Sequence, residues 1–366
     1  MVTLKTRLAA VAGAVALCLP GVAACSSGGS GDKVTVQYAS HIGDSAIHSL
    51  QAEWMMDRVV ELTDGQVEFK THYSASLLGG EEVMPGMQDG RVDMAYWAPA
   101  YNPAQMPLSQ AAGIPFVSVN PAAYSEALRK LYEDNDDFSN EFSKNGIHVL
   151  NFLGTPSSVL GSNKPVQNMD DLDGLKVRSV GLQALALEAA GSEVAAIPLN
   201  DSIESLERGL LEAYSGTTMD AALSLGLPDV TTEMTAPGTG VPALTVLAVS
   251  ESKFKSWPED VQDAFVQAGQ ELYEQAPVIA VEEGATACTK LKEAGVNVTA
   301  WSDENVAVWA AKTGTAGLDA WLKSATDAGV DKEKAEAFYE ELTADVKAEE
   351  ADSDYVDAIL ACAAKK

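Results

Sequence analysis

Basic residues are scarce in this chain. Its 366 residues include 24 Lys and Arg against 53 Asp and Glu, which gives a formal net charge of -29. Proteins that bind nucleic acids present clustered positive charge to the phosphates, so this composition excludes a nucleic-acid partner. Low-complexity tracts are missing beyond the N-terminus, and 46% of the residues are hydrophobic. Together these features exclude a disordered chain and predict a globular protein of about two domains.

The sequence also lacks the common catalytic motifs. It contains no G-x-S-x-G elbow, no H-E-x-x-H pair, no P-loop and no G-x-G-x-x-G after a strand. There are only 4 histidines, and the spacing of His41 and His48 does not suit two metal ligands on one helix. The acidic run Asp134–Asp137 lacks the glycine of an EF-hand loop. We therefore expect no enzyme and no cofactor, although a triad assembled from distant segments is an alternative.

The apolar run at the N-terminus, Leu8–Leu19, is short. A membrane-spanning helix needs roughly 20 apolar residues. Lys5 and Arg7 precede the run, and the small residues 22–24 follow it directly before Cys25. A positive end, a short apolar run and small residues at the cleavage point predict a secretory signal peptide over residues 1–24. Cys25 in this position is typical of a bacterial lipoprotein, whose thiol is acylated, and an ordinary signal peptide is the alternative.

Cysteine is rare, with 4 residues in the chain. Cys18 would leave with the signal peptide and Cys25 would carry the lipid, followed by a flexible tether over residues 25–32. Cys288 and Cys362 remain in an exported chain, which predicts one disulfide between them. Two buried free thiols are the alternative.

The first third of the mature chain alternates between strands and helices. Residues 33–40 and 66–73 show the period-two pattern of strands, and residues 46–63 carry an apolar helical face. A helix through Asp89 and a buried strand over 91–97 follow. This order predicts an α/β fold with a largely parallel sheet.

A second round of the same pattern begins after residue 164. The segment Met87–Asp93 matches Leu206–Glu212, since each has a helix end, a glycine and a short apolar strand with one acidic residue. Two similar α/β lobes are the simplest explanation. Beyond a strand at Leu244–Ser250, a long helix to about Ala294 and further helices over 304–324, 332–349 and 355–363 are expected to brace both lobes.

Arg178 is a candidate ligand-binding residue, because it stands at the carboxyl end of a predicted strand, 175–180. Ligands of α/β sheets bind outside the carboxyl ends of the strands. A guanidinium offers a fixed fork of donors that matches a carboxylate. A structural ion pair with one of the many acidic residues is the alternative.

Several ordered segments carry a resemblance to a known family. They are Thr63–Glu68, Ser76–Glu81, Met87–Asp93, Gly113–Phe116, Asp171–Arg178 (DLDGLKVR), Leu182–Gly191, Ile197–Pro198, Leu206–Glu212, Leu244–Ser250 and Trp257–Glu259. In this order the chain resembles the solute-binding proteins of tripartite ATP-independent periplasmic (TRAP) transporters, of the C4-dicarboxylate-binding type. The resemblance spans roughly residues 33 to 300.

The resemblance implies a type II-like periplasmic-binding-protein fold, with a ligand cleft between two α/β lobes and a long helix along both. It implies that Arg178 pairs with the carboxylate of an organic acid, and that small and large permease subunits in the membrane are the partners. The expected lobe I is 33–155 plus 245–283. The expected lobe II is 156–244 plus 284–366, with the C-terminal helices.

This chain departs from the family pattern at positions that often carry further charge. Ser157 and Ser158 replace a second arginine, residues 215–218 lack a common asparagine, and Ala98 stands where an acidic residue is frequent. One fixed positive charge with hydroxyl groups around it favours a monocarboxylate. The other cleft candidates, for which structural roles are the alternative, are His41, Tyr96, Trp97, Tyr101, Ser158, Tyr214 and Thr217.

The sequence therefore predicts an extracytoplasmic, lipid-anchored receptor that captures a small organic acid for a TRAP permease. Three alternatives remain at this point: the binding lipoprotein of an ABC importer, a ligand sensor for a signalling kinase and a secreted enzyme.

Overall fold

The computed structural model describes residues 33–365. Its strands are β1 Val34–Ala39, β2 Val67–His72, β3 Met94–Trp97, β4 Ile147–Leu153, β5 Val159–Ser162, β6 Lys176–Arg178, β7 Glu193–Ala195, β8 Ala213–Thr217, β9 Glu233–Ala236, β10 Thr245–Ser250 and β11 Asn297–Ala300. Its helices are α1 Ile47–Leu62, α2 Val83–Asp89, α3 Pro121–Asp134, α4 Asp136–Lys144, α5 Leu182–Ala189, α6 Ser202–Glu207, α7 Met219–Ser224, α8 Glu251–Phe254, α9 Glu259–Glu293, α10 Asp303–Thr313, α11 Ala316–Asp327, α12 Lys332–Asp352 and α13 Ala358–Ala364.

The strands form two sheets, and each sheet is the centre of one lobe. The sheet of lobe I has the order β2-β1-β3-β10-β4, and the sheet of lobe II has the order β11-β9-β5-β8-β6-β7. In both sheets the strands that are joined through helices pair in parallel, β1 with β2 and β3, and β6 with β7 and β8. The predicted two-lobed α/β fold is confirmed.

Antiparallel strands complete each sheet where the chain passes between lobes. The segment after β4 enters lobe II at β5, and the segment after β9 returns to lobe I at β10. The hydroxyls of Thr155 and Thr245 lie 2.8 Å apart and form a hydrogen bond, which places the two crossings side by side. All six residues of β10 are buried, as expected for a strand that is paired on both sides in a sheet covered on both faces.

Helix α9 runs for 35 residues and packs on both lobes. This confirms the prediction of a long helix that ends at about residue 294. Its first half buries Val261, Phe265 and Leu272 in the core of lobe I, a spacing that keeps one helical face inward. Its second half places Leu291 in the core of lobe II. At Gly269 a Cβ atom would come within 2.4 Å of a carbonyl oxygen of β4, so the helix needs glycine to approach the sheet.

The C-terminal helices differ from the prediction in two respects. The helix expected over 304–324 is divided into α10 and α11, because the chain turns at Gly314 with φ 57°. The prediction also placed all of 284–366 with lobe II, but α12 packs against α3, and Phe338 and Leu342 of α12 are buried in the lobe I core. Only an apolar face of α12 is visible in the sequence, and that face does not specify which lobe it covers.

Helix α13 is tied to α9 through a disulfide between Cys288 and Cys362, which are 74 positions apart. The side chain of Asp357 accepts a hydrogen bond from Ile359 N (3.1 Å) at the start of α13 and another from Ser157 N (3.0 Å) at the lobe crossing. Among residues 33–365, no helix has both the length and the apolar character that a bilayer crossing requires. The predicted signal peptide, the lipidation site Cys25 and the tether lie outside the described residues.

Candidate ligand-binding site

Arg178 ends β6, and its side chain is buried with 6% exposure. Because β7 and β8 run parallel to β6, three carboxyl strand ends meet at this edge of the lobe II sheet. Arg178 Nε donates to the carbonyl of Ile197 (2.9 Å), and Nη1 donates to the carbonyl of Ser215 (3.2 Å). The backbone of lobe II therefore fixes the plane of the guanidinium.

No carboxylate oxygen within residues 33–365 lies within 4.0 Å of the Arg178 guanidinium. The other arginines in this range, Arg58, Arg91, Arg129 and Arg208, each form an ion pair. Burial lowers the pKa of Arg178 to about 10, and the nearby Tyr101 hydroxyl opposes this shift. A buried cation without a counter-ion is costly, so this site is suited to an anion. The alternative of a structural ion pair does not hold for this residue.

Small polar residues of lobe II surround the guanidinium. Ser158 is buried, its amide donates to the Gly240 carbonyl (2.9 Å), and its hydroxyl accepts from Gly216 N (3.1 Å). Gly216 has φ 73°, and a Cβ atom there would lie 3.1 Å from Ser179 Oγ and 4.0 Å from Arg178 Nη1. Ser179 Oγ is buried and has no hydrogen-bond partner among the described residues, and the sequence reasoning missed it.

Thr217 is also buried, at the last position of β8 and opposite Val159 of β5. Thr217 and Ser158 thus lie on neighbouring strand ends of the sheet that carries Arg178. Their hydroxyls add polar groups to this part of the sheet without adding a second charge.

Aromatic side chains of lobe I face this edge. The ring of His41 lies edge-on to Tyr101, with centroids 5.1 Å apart, and is tilted against Tyr96 at 5.3 Å. His41 Nε2 and the Tyr101 hydroxyl are 3.4 Å apart. Burial, and next the charge of the adjacent His48, lower the pKa of His41 to about 4, so its ring is neutral near pH 7. Tyr101 acts on the pKa of Arg178, so this cluster of lobe I lies near the cation of lobe II.

Two predicted cleft residues belong to the core instead. Trp97 is fully buried, donates from Nε1 to Asn102 Oδ1 (3.0 Å) and packs edge-on against Phe142. Successive residues of a strand point to opposite faces, so Tyr96 and Trp97 cannot both line one cavity. Tyr214 is fully buried against Gly161, where a Cβ atom would come within 2.1 Å of its ring.

Two residues that were not predicted extend the site between the lobes. His48, at the start of α1, stacks on Tyr96 with ring centroids 5.2 Å apart. Asp220, at the start of α7, accepts a hydrogen bond from Ile47 N (3.4 Å) across a sequence separation of 173 residues. A local motif could not have indicated this contact, because the two segments meet only when both lobes have formed.

A model of the family described as bacterial extracellular solute-binding protein, family 7, matches residues 38–319. An outer membrane transporter protein, TsaT, of Comamonas testosteroni is 25% identical over 285 residues, which covers 77% of this chain and 83% of that protein. A monocarboxylate 2-oxoacid-binding periplasmic protein of Nostoc sp. is 24% identical over 270 residues, which covers 69% of this chain and 70% of that protein.

Solved structures show the same architecture. A TRAP solute-binding protein of Rhodoferax ferrireducens in complex with benzoate superposes with a TM-score of 0.76 at 19% identity, covering 87% of this chain and 99% of that chain. A TRAP periplasmic solute-binding protein of Desulfovibrio salexigens in an open complex gives a TM-score of 0.72 at 24% identity, covering 85% of this chain and 96% of that chain.

The chain belongs to the bacterial extracellular solute-binding proteins, family 7. It is a solute-binding protein of the TRAP type, whose members bind small organic acids outside the cytoplasm and work with membrane permeases. The resemblance found in the sequence is confirmed, and family membership decides against the binding protein of an ABC importer.

Proposed function

We propose that this protein is a lipid-anchored receptor that captures a monocarboxylate between its lobes, with Arg178 pairing with the ligand carboxylate. The observation that carries this proposal is the buried guanidinium with no carboxylate partner among the described residues. Arg178 Nε and Nη1 donate hydrogen bonds to backbone carbonyls, so the planar guanidinium is held in one orientation before the ligand binds. A fixed fork loses little entropy when it binds a carboxylate.

Closure of the lobes would strengthen this ion pair. Tyr101 of lobe I approaches Arg178 of lobe II, so the ligand carboxylate would be covered from the opposite side. Removing water lowers the local dielectric and increases the attraction between the charges. Because the ligand binds the closed form more tightly, it shifts the population toward closure, which the permease subunits would recognise.

The lobe boundaries near 155/156 and 244/245 are part of the same proposal. The hydrogen bond between Thr155 and Thr245 supports a common hinge there, since it joins the two crossings at one point. Helix α9 contains Pro277 between the halves that pack on lobe I and lobe II. Proline cannot donate the helical hydrogen bond, so this is the position at which α9 can bend most easily.

The arginine is tested by a thermal-shift screen of organic acids on the wild type, R178A, R178K and the control R208A. A ligand that binds only the native state raises the unfolding temperature. Removing one partner of a buried charge pair costs on the order of 2–5 kcal/mol of binding free energy, so R178A should abolish the shift and R178K should keep part of it. Arg208 lies on the same lobe in an exposed pair with Glu204, so R208A should behave as wild type. An unchanged shift in R178A would reject the assigned role.

The lipid anchor at Cys25 is proposed from the sequence pattern that precedes it. Expression in a bacterial host that processes lipoproteins should give a mature chain that begins at Cys25, carries acyl mass and partitions into a detergent phase. The C25A variant should remain in the aqueous phase. An acyl-free wild type, or a C25A variant that still partitions into detergent, would refute the anchor.

The protein is proposed to bind its ligand without chemical change, in keeping with a family of binding proteins. An acid that binds should be recovered intact, by mass spectrometry, after long incubation and denaturation. Conversion of the acid at a rate that depends on protein concentration would contradict this part of the proposal.

A further inference from the structure

A second polar cluster lies where the two lobes meet, and its carboxylate is opposite in sign to Arg178. Asp220 of lobe II reaches lobe I, where its Oδ2 accepts the hydrogen bond from Ile47 N at the start of α1. Its other oxygen, Oδ1, is buried and has no hydrogen-bond partner among the described residues. A buried carboxylate oxygen without a donor is unfavourable, so an explanation for Oδ1 is required.

His48 supplies a second unsatisfied polar atom at the same place. Its side chain is 7% exposed, and Nε2 is buried without a partner in the described part of the chain. Burial lowers the pKa of His48 despite the opposing charge of the nearby Asp220, so the ring is neutral. A neutral imidazole donates from one ring nitrogen and accepts at the other, so Nε2 can form a hydrogen bond with a ligand hydroxyl in either tautomer.

A row of four rings connects this cluster with the side chain that acts on Arg178. The row runs from His48 through the stacked ring of Tyr96 to His41, and from His41 to Tyr101, with successive centroids 5.2, 5.3 and 5.1 Å apart. Tyr101 is the residue that acts on Arg178. Tyr96 lies between the rings of His48 and His41, and this row of rings carries no positive charge near pH 7, because both histidines are neutral.

We infer that the ligand is a monocarboxylate with an apolar or flat body and a hydroxyl at its far end, and that Asp220 determines this specificity. The inference rests on the proposed role of Arg178 as the carboxylate anchor. A ligand hydroxyl would donate to Asp220 Oδ1 or form a hydrogen bond with His48 Nε2, and either bond would satisfy a buried polar atom. A second carboxylate at that end would instead meet the Asp220 carboxylate and neutral rings, with no cation to compensate it.

Two sets of acids test the inference by calorimetry. One is hexanoate, 6-hydroxyhexanoate and adipate, and the other is 3-phenylpropionate with its 4-hydroxy and 4-carboxy derivatives. Wild type should bind the hydroxy acid of at least one set about tenfold or more tightly than the parent acid, and should bind the dicarboxylate most weakly. D220N keeps a side-chain oxygen that can accept from Ile47 N, but it removes the negative charge. The variant should therefore show a smaller difference in affinity between the hydroxy acid and its parent acid, and a smaller difference between the hydroxy acid and the dicarboxylate.

Asp229 provides the matched control. It is exposed on the same lobe, so D229N makes the same charge change away from the cleft and should keep the wild-type ranking. Thermal unfolding of each free variant checks its fold. If D220N does not fold, H48F serves as the second variant, because it removes Nε2 and keeps a flat ring beside Tyr96. H48F should likewise lower the affinity for the hydroxy acid relative to its parent acid.

Dicarboxylates that bind wild type most tightly, or a D220N ranking equal to that of wild type, would overturn the inference. The same result follows if neither set binds while another acid binds in an Arg178-dependent manner. In each of these cases the proposed function stands. Binding of acids that is insensitive to R178A would instead remove the proposed function itself.

Discussion

Gly216 is the position where a single methyl group tests the geometry around Arg178. The residue has φ 73°, which a side chain with a Cβ atom adopts only at a cost of about 1–2 kcal/mol. The added Cβ would also lie 3.1 Å from Ser179 Oγ and 4.0 Å from Arg178 Nη1. G216A should therefore lose about 1–2 kcal/mol of unfolding free energy. It should also lose about tenfold in ligand affinity, because Ser179 Oγ must shift and the added methyl group occupies space next to Arg178 Nη1.

Gly209 separates these two effects. It lies on the same lobe with φ 69°, and a Cβ atom there would have no other atom within 4 Å. G209A should show a similar loss in denaturant unfolding, with wild-type affinity in calorimetry of an acid that binds. Equal affinities of G216A and G209A would refute the view that the carboxylate binds beside Gly216 and Arg178.

Two further predictions concern stability. The Cys288–Cys362 disulfide closes a loop of 74 residues and raises the free energy of the unfolded chain by roughly 4 kcal/mol. C288S/C362S should therefore lower the free energy of unfolding by about that amount. An unchanged free energy of unfolding would exclude the bond. The folded state lowers the pKa of His41 to about 4, so protonation of this ring favours the unfolded state. The contribution of neutral His41 to the free energy of unfolding is therefore complete above pH 6.5 and is lost as the pH falls through 4, by up to about 3 kcal/mol. The difference between wild type and H41Q in urea unfolding should follow this window, and a constant difference would contradict it.

The sequence predicted the parts of the fold that depend on local periodicity. Strands and helices alternate in the expected order, and α9 occupies the long segment that begins after Trp257. Arg178 was placed correctly at a strand end because charge was scarce and the strand pattern was clear. The cysteine pairing followed from counting alone, since only Cys288 and Cys362 remained for a disulfide.

The sequence could not predict which way strand-end side chains point or which distant segments meet. Trp97 ends β3 and Tyr214 is the second residue of β8, and both side chains lie in the core. No local pattern in the sequence indicates His48 or Asp220 as a ligand-binding residue. Their proximity arises from contact between α1 and α7, which no local pattern encodes. The placement of α12 on lobe I was missed for the same reason.

The role of Arg178 is tested most directly by a crystal structure of the protein with the acid that gives the largest thermal shift. If Arg178 anchors the carboxylate, both carboxylate oxygens of the ligand lie within hydrogen-bond distance of its guanidinium, and Tyr101 closes over the ligand. A ligand bound elsewhere, or a guanidinium paired with a protein carboxylate while the ligand is present, would contradict this role.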